Sequence, residues 1–275
     1  MRSLRKALPH TTRRQLFFAV SALGSSRSST SAAGADERRP KILSSLPPIE
    51  PGFRRLYLVR HGETDWNLDG RIQGTTDNPL NANGRAQAAA LAEYLADEPM
   101  DAVYSSSLRR ASETAAAVAA RHPACKTGKD ARFMEMCFGD YEGMLLDEFR
   151  AEYNGFLASW GSGDTARAFP GKRGESPDAV AQRGLDGLRV LGLLDGGGGA
   201  APVLAADDRS VCIVAHGRFN KILIAALQGD VAKASDVQQG NTCINVLDVA
   251  PGGKCVVRLL DVREHLGLIG KAVLQ

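Results

Sequence analysis

The stretch "LYLVRHGETDWN" (residues 56–67) and the stretch "VCIVAHGRFN" (residues 211–220) share one pattern: an apolar run, then His-Gly. His61 and His216 are therefore the first candidates for chemistry. A neutral imidazole whose Nδ1–H is held by an acceptor offers Nε2 as a nucleophile. The glycine that follows lets backbone pass close to a docked group. Arg60, directly before His61, carries a planar fork of donors suited to phosphate. A single histidine of this kind is more often a satisfied residue at a strand end. That bland reading does not account for the second His-Gly.

Two more clusters carry reactive groups. "SSSLRRASETA" (105–115) puts Arg109 and Arg110 at the start of an expected helix, whose amino end favours anions. Only one of the two can easily face inward. "RFMEMCFGDYEG" (132–143) sets Glu135 among Phe133, Met134 and Met136. A carboxyl in apolar surroundings holds its proton to higher pH, which suits a general acid. Asp140 and Glu142 compete for that role. A metal centre fits poorly. No His-x-His or His-Glu-x-x-His spacing is present, and an arginine beside a ligand repels a cation. The five cysteines are odd in number and contain no Cys-x-x-Cys, so neither a disulfide framework nor a zinc knuckle is expected. Cys212 and Cys243 read as small core residues.

These groups need elements to position them. Residues 55–60 and 211–215 read as buried strands, being short and rich in Val, Ile and Tyr. Residues 100–106 give a further strand, and 243–249 and 255–262 give two more, neighbours across the turn "APGGK". Helices are expected over 84–97, 108–120, 144–153, 177–194 and 218–228. This βαβα rhythm implies an α/β three-layer sandwich: a mainly parallel central sheet with helices on both faces. In such a sheet, ligands dock at the carboxyl ends of the strands. The glycine run 196–199 lacks phosphate-loop spacing and reads as linker within a surface loop reaching 208.

Of 275 residues, 44% are apolar and 24% charged, as in ordinary globular proteins. The net charge of +3 comes from the front end: Arg2, Arg5, Lys6, Arg13, Arg14 and Arg27 leave the rest at −3. A mildly acidic body argues against nucleic-acid binding, and no apolar run is long enough to span a membrane. Residues 1–40 are read as a targeting or disordered segment, rich in Arg, Ser and Ala and poor in acids. An organelle address, plastid or mitochondrial, is favoured over a secretory or lumenal signal or a cytoplasmic tail. Residues 41–275 form the functional domain.

The blocks "LYLVRHGETDWNLDGRIQGTTDNPLNANGRAQA", "YSSSLRRASETA", "FMEMCFGDYEG" and "VCIVAHGRFN" resemble, in order, those of the histidine phosphatase superfamily, the phosphoglycerate mutase-like proteins. The resemblance spans residues 56 to about 227. It implies the following roles. His61 takes the phosphoryl group, Arg60 and Arg110 clamp its oxygens, and His216 is the second pocket histidine, protonated beside the phosphate. Glu135 donates a proton to the leaving oxygen. Asn67 lines the phosphate pocket, Gln73 and Gly74 lie near the organic part of the substrate, and Thr64 and Gly217 join them as binding residues. No cofactor is implied. After the acid, mutases carry an Arg-His-Tyr-Gly-like stretch; this chain has Met136-Cys137-Phe138-Gly139, similar to the phosphatase branch. The expectation is a metal-independent phosphatase acting on a small phosphorylated metabolite. The alternatives are a cofactor-dependent phosphoglycerate mutase, and a phosphoprotein phosphatase or regulatory binder. Lys172 and Arg173 are candidates to meet a second anionic group. Oligomeric state stays open, a homodimer being one option.

Overall fold

The computed structural model describes residues 41–196 and 201–268. The expected targeting segment, residues 1–40, and most of the glycine run lie outside the described residues. Six strands make one sheet: β1 (Arg54–Arg60), β2 (Ala102–Ser106), β3 (Lys126–Asp130), β4 (Ser210–Ala215), β5 (Ile244–Val249) and β6 (Cys255–Val262). Their spatial order is β3-β2-β4-β1-β5-β6. The first four strands run parallel, and β5 and β6 are antiparallel to their neighbours. The mainly parallel sheet is as expected.

Each central strand is apolar along its length because both faces are covered. Side chains alternate across a strand. Leu56 and Leu58 of β1 join one core, shared with α4 (Arg150–Gly161), α5 (Pro177–Leu191) and α6 (Gly217–Leu227). Tyr57 and Val59 join the other, under α2 (Ala82–Leu95) and α3 (Arg109–Ala119). The chain thus leaves β1 toward one face and β4 toward the other. A crevice opens where neighbouring strands diverge in this way.

Local chemistry sets the helix ends. Asn81 caps α2, accepting from the Gly84 N–H at 2.8 Å, so the helix starts ahead of the expected residue 84. Ser176 caps α5, and Gly192 ends it at φ 87°, short of the expected 194. Two expectations fail. The helix proposed over 144–153 begins only at Arg150, because residues 143–146 pair with 70–72 instead. The Ile72 N–H donates to Met144 O and the Leu146 N–H to Gly70 O, both at 3.0 Å. Backbone donors spent across the chain cannot propagate a helix. The strand β3, "KTGKD", was not expected. It is a polar, half-exposed edge strand with no apolar alternation.

One strained turn supports the crevice from behind. Thr242 has φ 54°, costly for a β-branched residue. Its N–H donates to His61 O, and its hydroxyl lies 2.9 Å from Nε2 of the fully buried His265. Burial pushes His265 down to about 4. The folded chain therefore resists a proton that the unfolded chain accepts from about pH 6.5 downward. Stability is complete above pH 6.5 and is lost as pH falls toward 4, on the order of 3 kcal/mol from this residue. Urea unfolding at pH 7.5 and 4.5 should show a clearly smaller acid loss for His265→Gln than for the parent chain. Equal losses would remove His265 from this account.

Candidate active site

The two His-Gly stretches meet. β1 and β4 pair in parallel register, with Arg60 opposite Ala215, and the His61 N–H donates to Ala215 O at 3.1 Å. The next residue of each strand is a histidine. Their ring centroids are 5.1 Å apart. His61 Nδ1 lies 2.7 Å from its acceptor, Gly62 O, so Nδ1 carries the hydrogen and Nε2 keeps its lone pair. Gly62 itself is required by packing. A Cβ there would stand 2.5 Å from Gly84 O, where the start of α2 crosses.

A cavity of about 260 Å³ opens beside His61, lined also by Arg60, Asn67, Gln73, Gly74, Arg110, Glu135 and Gly217. Arg110 is fully buried at the start of α3. Its two terminal nitrogens donate to Gly74 O and Thr76 O, both at 2.7 Å, while Nε has no protein partner. The loop that holds it is tied in turn by Glu142, which accepts from the Thr75 N–H and from the Thr75 and Thr76 hydroxyls. Glu142, a competitor for the acid role, is thus a clamp on the loop. Arg109, by contrast, is largely exposed and pairs with Glu113. Arg60 donates to Gln239 O at 2.8 Å, and its Nε too has no partner. Burial pushes Arg110 down to about 10, and lowers Arg60 as well; Glu135 opposes both shifts. Both arginines stay charged at neutral pH. Anchoring by carbonyls instead of carboxylates leaves that charge uncancelled, which is what an anion site needs.

Asn67 enters from α1 (Asp65–Leu68). Its side-chain oxygen receives the Thr64 N–H and hydroxyl at 3.2 Å and the Asn241 amide at 3.3 Å. These donors turn its NH₂ away from them, toward the cavity. Thr64, expected to bind substrate, is fully buried and caps α1; it orients Asn67 and does not line the cavity. Glu135 differs from its expected setting. Its carboxylate is met by three backbone N–H groups, those of Met136, Arg218 and Phe219, at 2.8 to 3.1 Å. It caps the amino end of α6 while facing the cavity. His216 is fully buried behind His61, and neither ring nitrogen has a protein partner. Burial first, then Arg110, His61, Arg183 and Arg60, lower it well below 6.5. The expectation of a protonated His216 refers to the site with phosphate beside it, where the added negative charge acts against these shifts.

Sequence reasoning missed Arg71, Ile72, Phe138, Tyr153, Arg218, Lys221 and Gln239, all of which line the cavity. Only Arg218 and Lys221 had a readable signal, their i,i+3 spacing just after His216. Lys172 and Arg173 are exposed and lie outside the lining. Among the described residues no group of His, Cys, Asp or Glu could hold a metal ion. The set can hold a tetrahedral anion on two guanidinium groups and an amide, with a nucleophilic nitrogen and a carboxylate alongside.

Comparison with known proteins agrees with this geometry. The model of the histidine phosphatase superfamily (branch 1) matches residues 56–262, and the chain belongs to that family. The chain is 40% identical over 176 residues to a glucosyl-3-phosphoglycerate phosphatase of Mycolicibacterium vanbaalenii, covering 64% of this chain and 75% of the relative. It is 36% identical over 215 residues to phosphoserine phosphatase 1 of Hydrogenobacter thermophilus, covering 78% and 94%. A solved mycobacterial glucosyl-3-phosphoglycerate phosphatase with VO3 superposes with TM-score 0.62 at 29% identity, covering 76% and 99%. The protein is a phosphoric monoester hydrolase.

The electrostatics give a direct test. Burial first, then Arg110 and Arg60, hold the His61 imidazole well below 6.5. Histidine NMR of the phosphate-free chain should show His61 and His216 neutral at pH 6.5, His61 as the Nδ1–H tautomer. Inorganic phosphate should raise both titrations, since its charge opposes that of the arginines. Midpoints near 6.5 without phosphate would contradict the assigned burial and charge.

Proposed function

We propose that the protein hydrolyses a small phosphate monoester through a phosphohistidine intermediate on His61, with no metal in the reaction. The observation that carries this reading is the meeting, in one small cavity, of an Nε2 with a free lone pair, two carbonyl-anchored arginines and one carboxylate. Arg60, Arg110 and the Asn67 amide bind the phosphoryl oxygens. His61 Nε2 attacks phosphorus in line, forming the P–N bond as the ester P–O bond breaks. Glu135, the one carboxyl lining the cavity among the described residues, delivers a proton to the departing oxygen. Water then attacks the phosphohistidine and gives its proton to Glu135, and the P–N bond breaks. His61 and Glu135 return to their starting forms. Positioning and charge stabilisation supply most of the catalysis in such transfers. His216 meets the phosphoryl group as a hydrogen-bonding partner whose proton affinity rises when the anion arrives.

Support for hydrolysis over mutase chemistry comes from Phe138, which lines the cavity where the mutase-like stretch differs, and from relatives named as phosphatases. The test is inorganic phosphate release from a panel of monoesters with EDTA present. The panel includes 3-phosphoglycerate, phosphoserine and sugar phosphates, and 2-phosphoglycerate formation is followed with and without 2,3-bisphosphoglycerate. His61→Ala should lower turnover by roughly 10³-fold or more. Rapid quench of the parent chain with labelled substrate should trap alkali-stable, acid-labile phosphate on the protein. Isomerisation without release would move the protein to the mutase reading; release abolished by EDTA would end the metal-free mechanism.

A further inference from the structure

The phosphate-binding groups do not exhaust the positive charge of the cavity. Five basic side chains line it, Arg60, Arg71, Arg110, Arg218 and Lys221, against the single carboxylate of Glu135. Arg60 and Arg110 are assigned to the phosphoryl group. Arg71 donates to Gly143 O and lies over the Trp66 ring at 5.7 Å. Arg218 and Lys221 remain, near the start of α6, spaced i,i+3 and so on one face of the helix.

Their surroundings are built. One terminal nitrogen of Arg218 donates to the Tyr153 hydroxyl, and the guanidinium lies 5.6 Å from the Tyr153 ring and 5.9 Å from the Trp160 ring. These aromatics of α4 fix the arginine without neutralising it. Among the described residues neither Arg218 nor Lys221 forms an ion pair. Lys221 is half-buried, and burial, with Arg218 and Arg60 beside it, pushes its ammonium down to about 8; the Asp261 carboxylate acts the other way. A half-buried cation repelled by its neighbours is unfavourable unless an anion joins it. A phosphate dianion offsets only part of this positive charge, and one more anionic group on the substrate would offset more of it.

We infer that Arg218 and Lys221 form a second anion subsite, and that the substrate is a phosphate monoester carrying a carboxylate or a second phosphate on its organic part. This rests on the hydrolytic reading above. It replaces Lys172 and Arg173, which the structure leaves exposed outside the cavity. Tyr153, Phe138 and Ile72 also line the cavity and give it apolar surface for a small carbon skeleton.

The test compares matched substrates on the full chain. 3-Phosphoglycerate and glycerol 3-phosphate differ by a carboxylate; fructose 1,6-bisphosphate and fructose 6-phosphate differ by a phosphate. The parent chain should prefer the doubly anionic member of at least one pair by about tenfold or more in kcat/KM, the scale of one charge-assisted contact. The pair that shows the preference distinguishes carboxylate from phosphate. Arg218→Gln and Lys221→Gln should each shrink that preference severalfold, chiefly through KM. Lys172→Gln and Arg173→Gln, exposed and outside the cavity, should leave it intact, and all four variants should keep the parent circular dichroism. Calorimetry of the same ligands on His61→Ala reads the preference without turnover. A failure of hydrolysis alone thus leaves the subsite decidable. Equal handling of both members of both pairs, in kinetics and in binding, overturns the inference. So does loss of the preference in the Lys172 and Arg173 variants.

Discussion

The parallel pairing of β1 with β4 is the constraint on which the site depends. Strand register sets the partner of every residue, so Arg60 opposite Ala215 makes His61 and His216 the next pair out. A slip of one residue in either strand would turn that strand's histidine to the other face of the sheet, away from its partner. Both strands are covered by apolar layers above and below, which penalises any such slip. The catalytic pair is therefore held by the hydrophobic core, with no direct bond between the rings. Divergence of the chain after these two strands, toward α2 on one face and α6 on the other, leaves the opening into which both project.

Charge is the second organising theme. Burying guanidinium groups is costly, and proteins usually offset the cost with carboxylates. Arg55 follows that rule at the far end of β1, gripping Asp248 with two bonds at 2.8 and 3.1 Å. Arg60 and Arg110 do not. They are held by the carbonyls of Gln239, Gly74 and Thr76. The dipoles steady them yet leave a full positive charge facing the cavity. Burial first, and the same field after it, favour the neutral form of both histidines, which suits a nucleophile ready before substrate binds. Glu135 is steadied by peptide N–H groups at the start of α6, beside the arginines that attract it.

Several residues reached the site through routes that local pattern does not encode. Glu142 was one of three neighbouring acids, and the apolar neighbours that ranked Glu135 first said nothing of its own task; that follows from lying against the 73–76 loop, which contacts Arg110. Thr64 stands three residues before Asn67, a spacing compatible with a cap or with a ligand contact. Only the observed cap geometry decides between them. Gln239 and Asn241 come from a loop before β5 that carries no motif, and touch Arg60, His61 and Asn67 because β5 pairs with β1. The misplaced helix over 144–153 has the same origin: the backbone of 143–146 is engaged by residues 70–72.

What the sequence determined alone was the set of elements and most of the reactive groups. Apolar runs followed by His-Gly, an arginine pair opening a helix and an acid within an apolar loop are local patterns, set by strand propensity, helix-end chemistry and residue type. Which arginine faces inward, which carboxylate meets the cavity, which face of α6 supplies the extra cations and which protonation state His216 takes are all properties of proximity. Electrostatic shifts and hydrogen bonds depend on separations of a few ångströms between groups far apart in the chain. Those separations exist only once β4 has inserted between β1 and β2 and the two apolar layers have closed over the sheet.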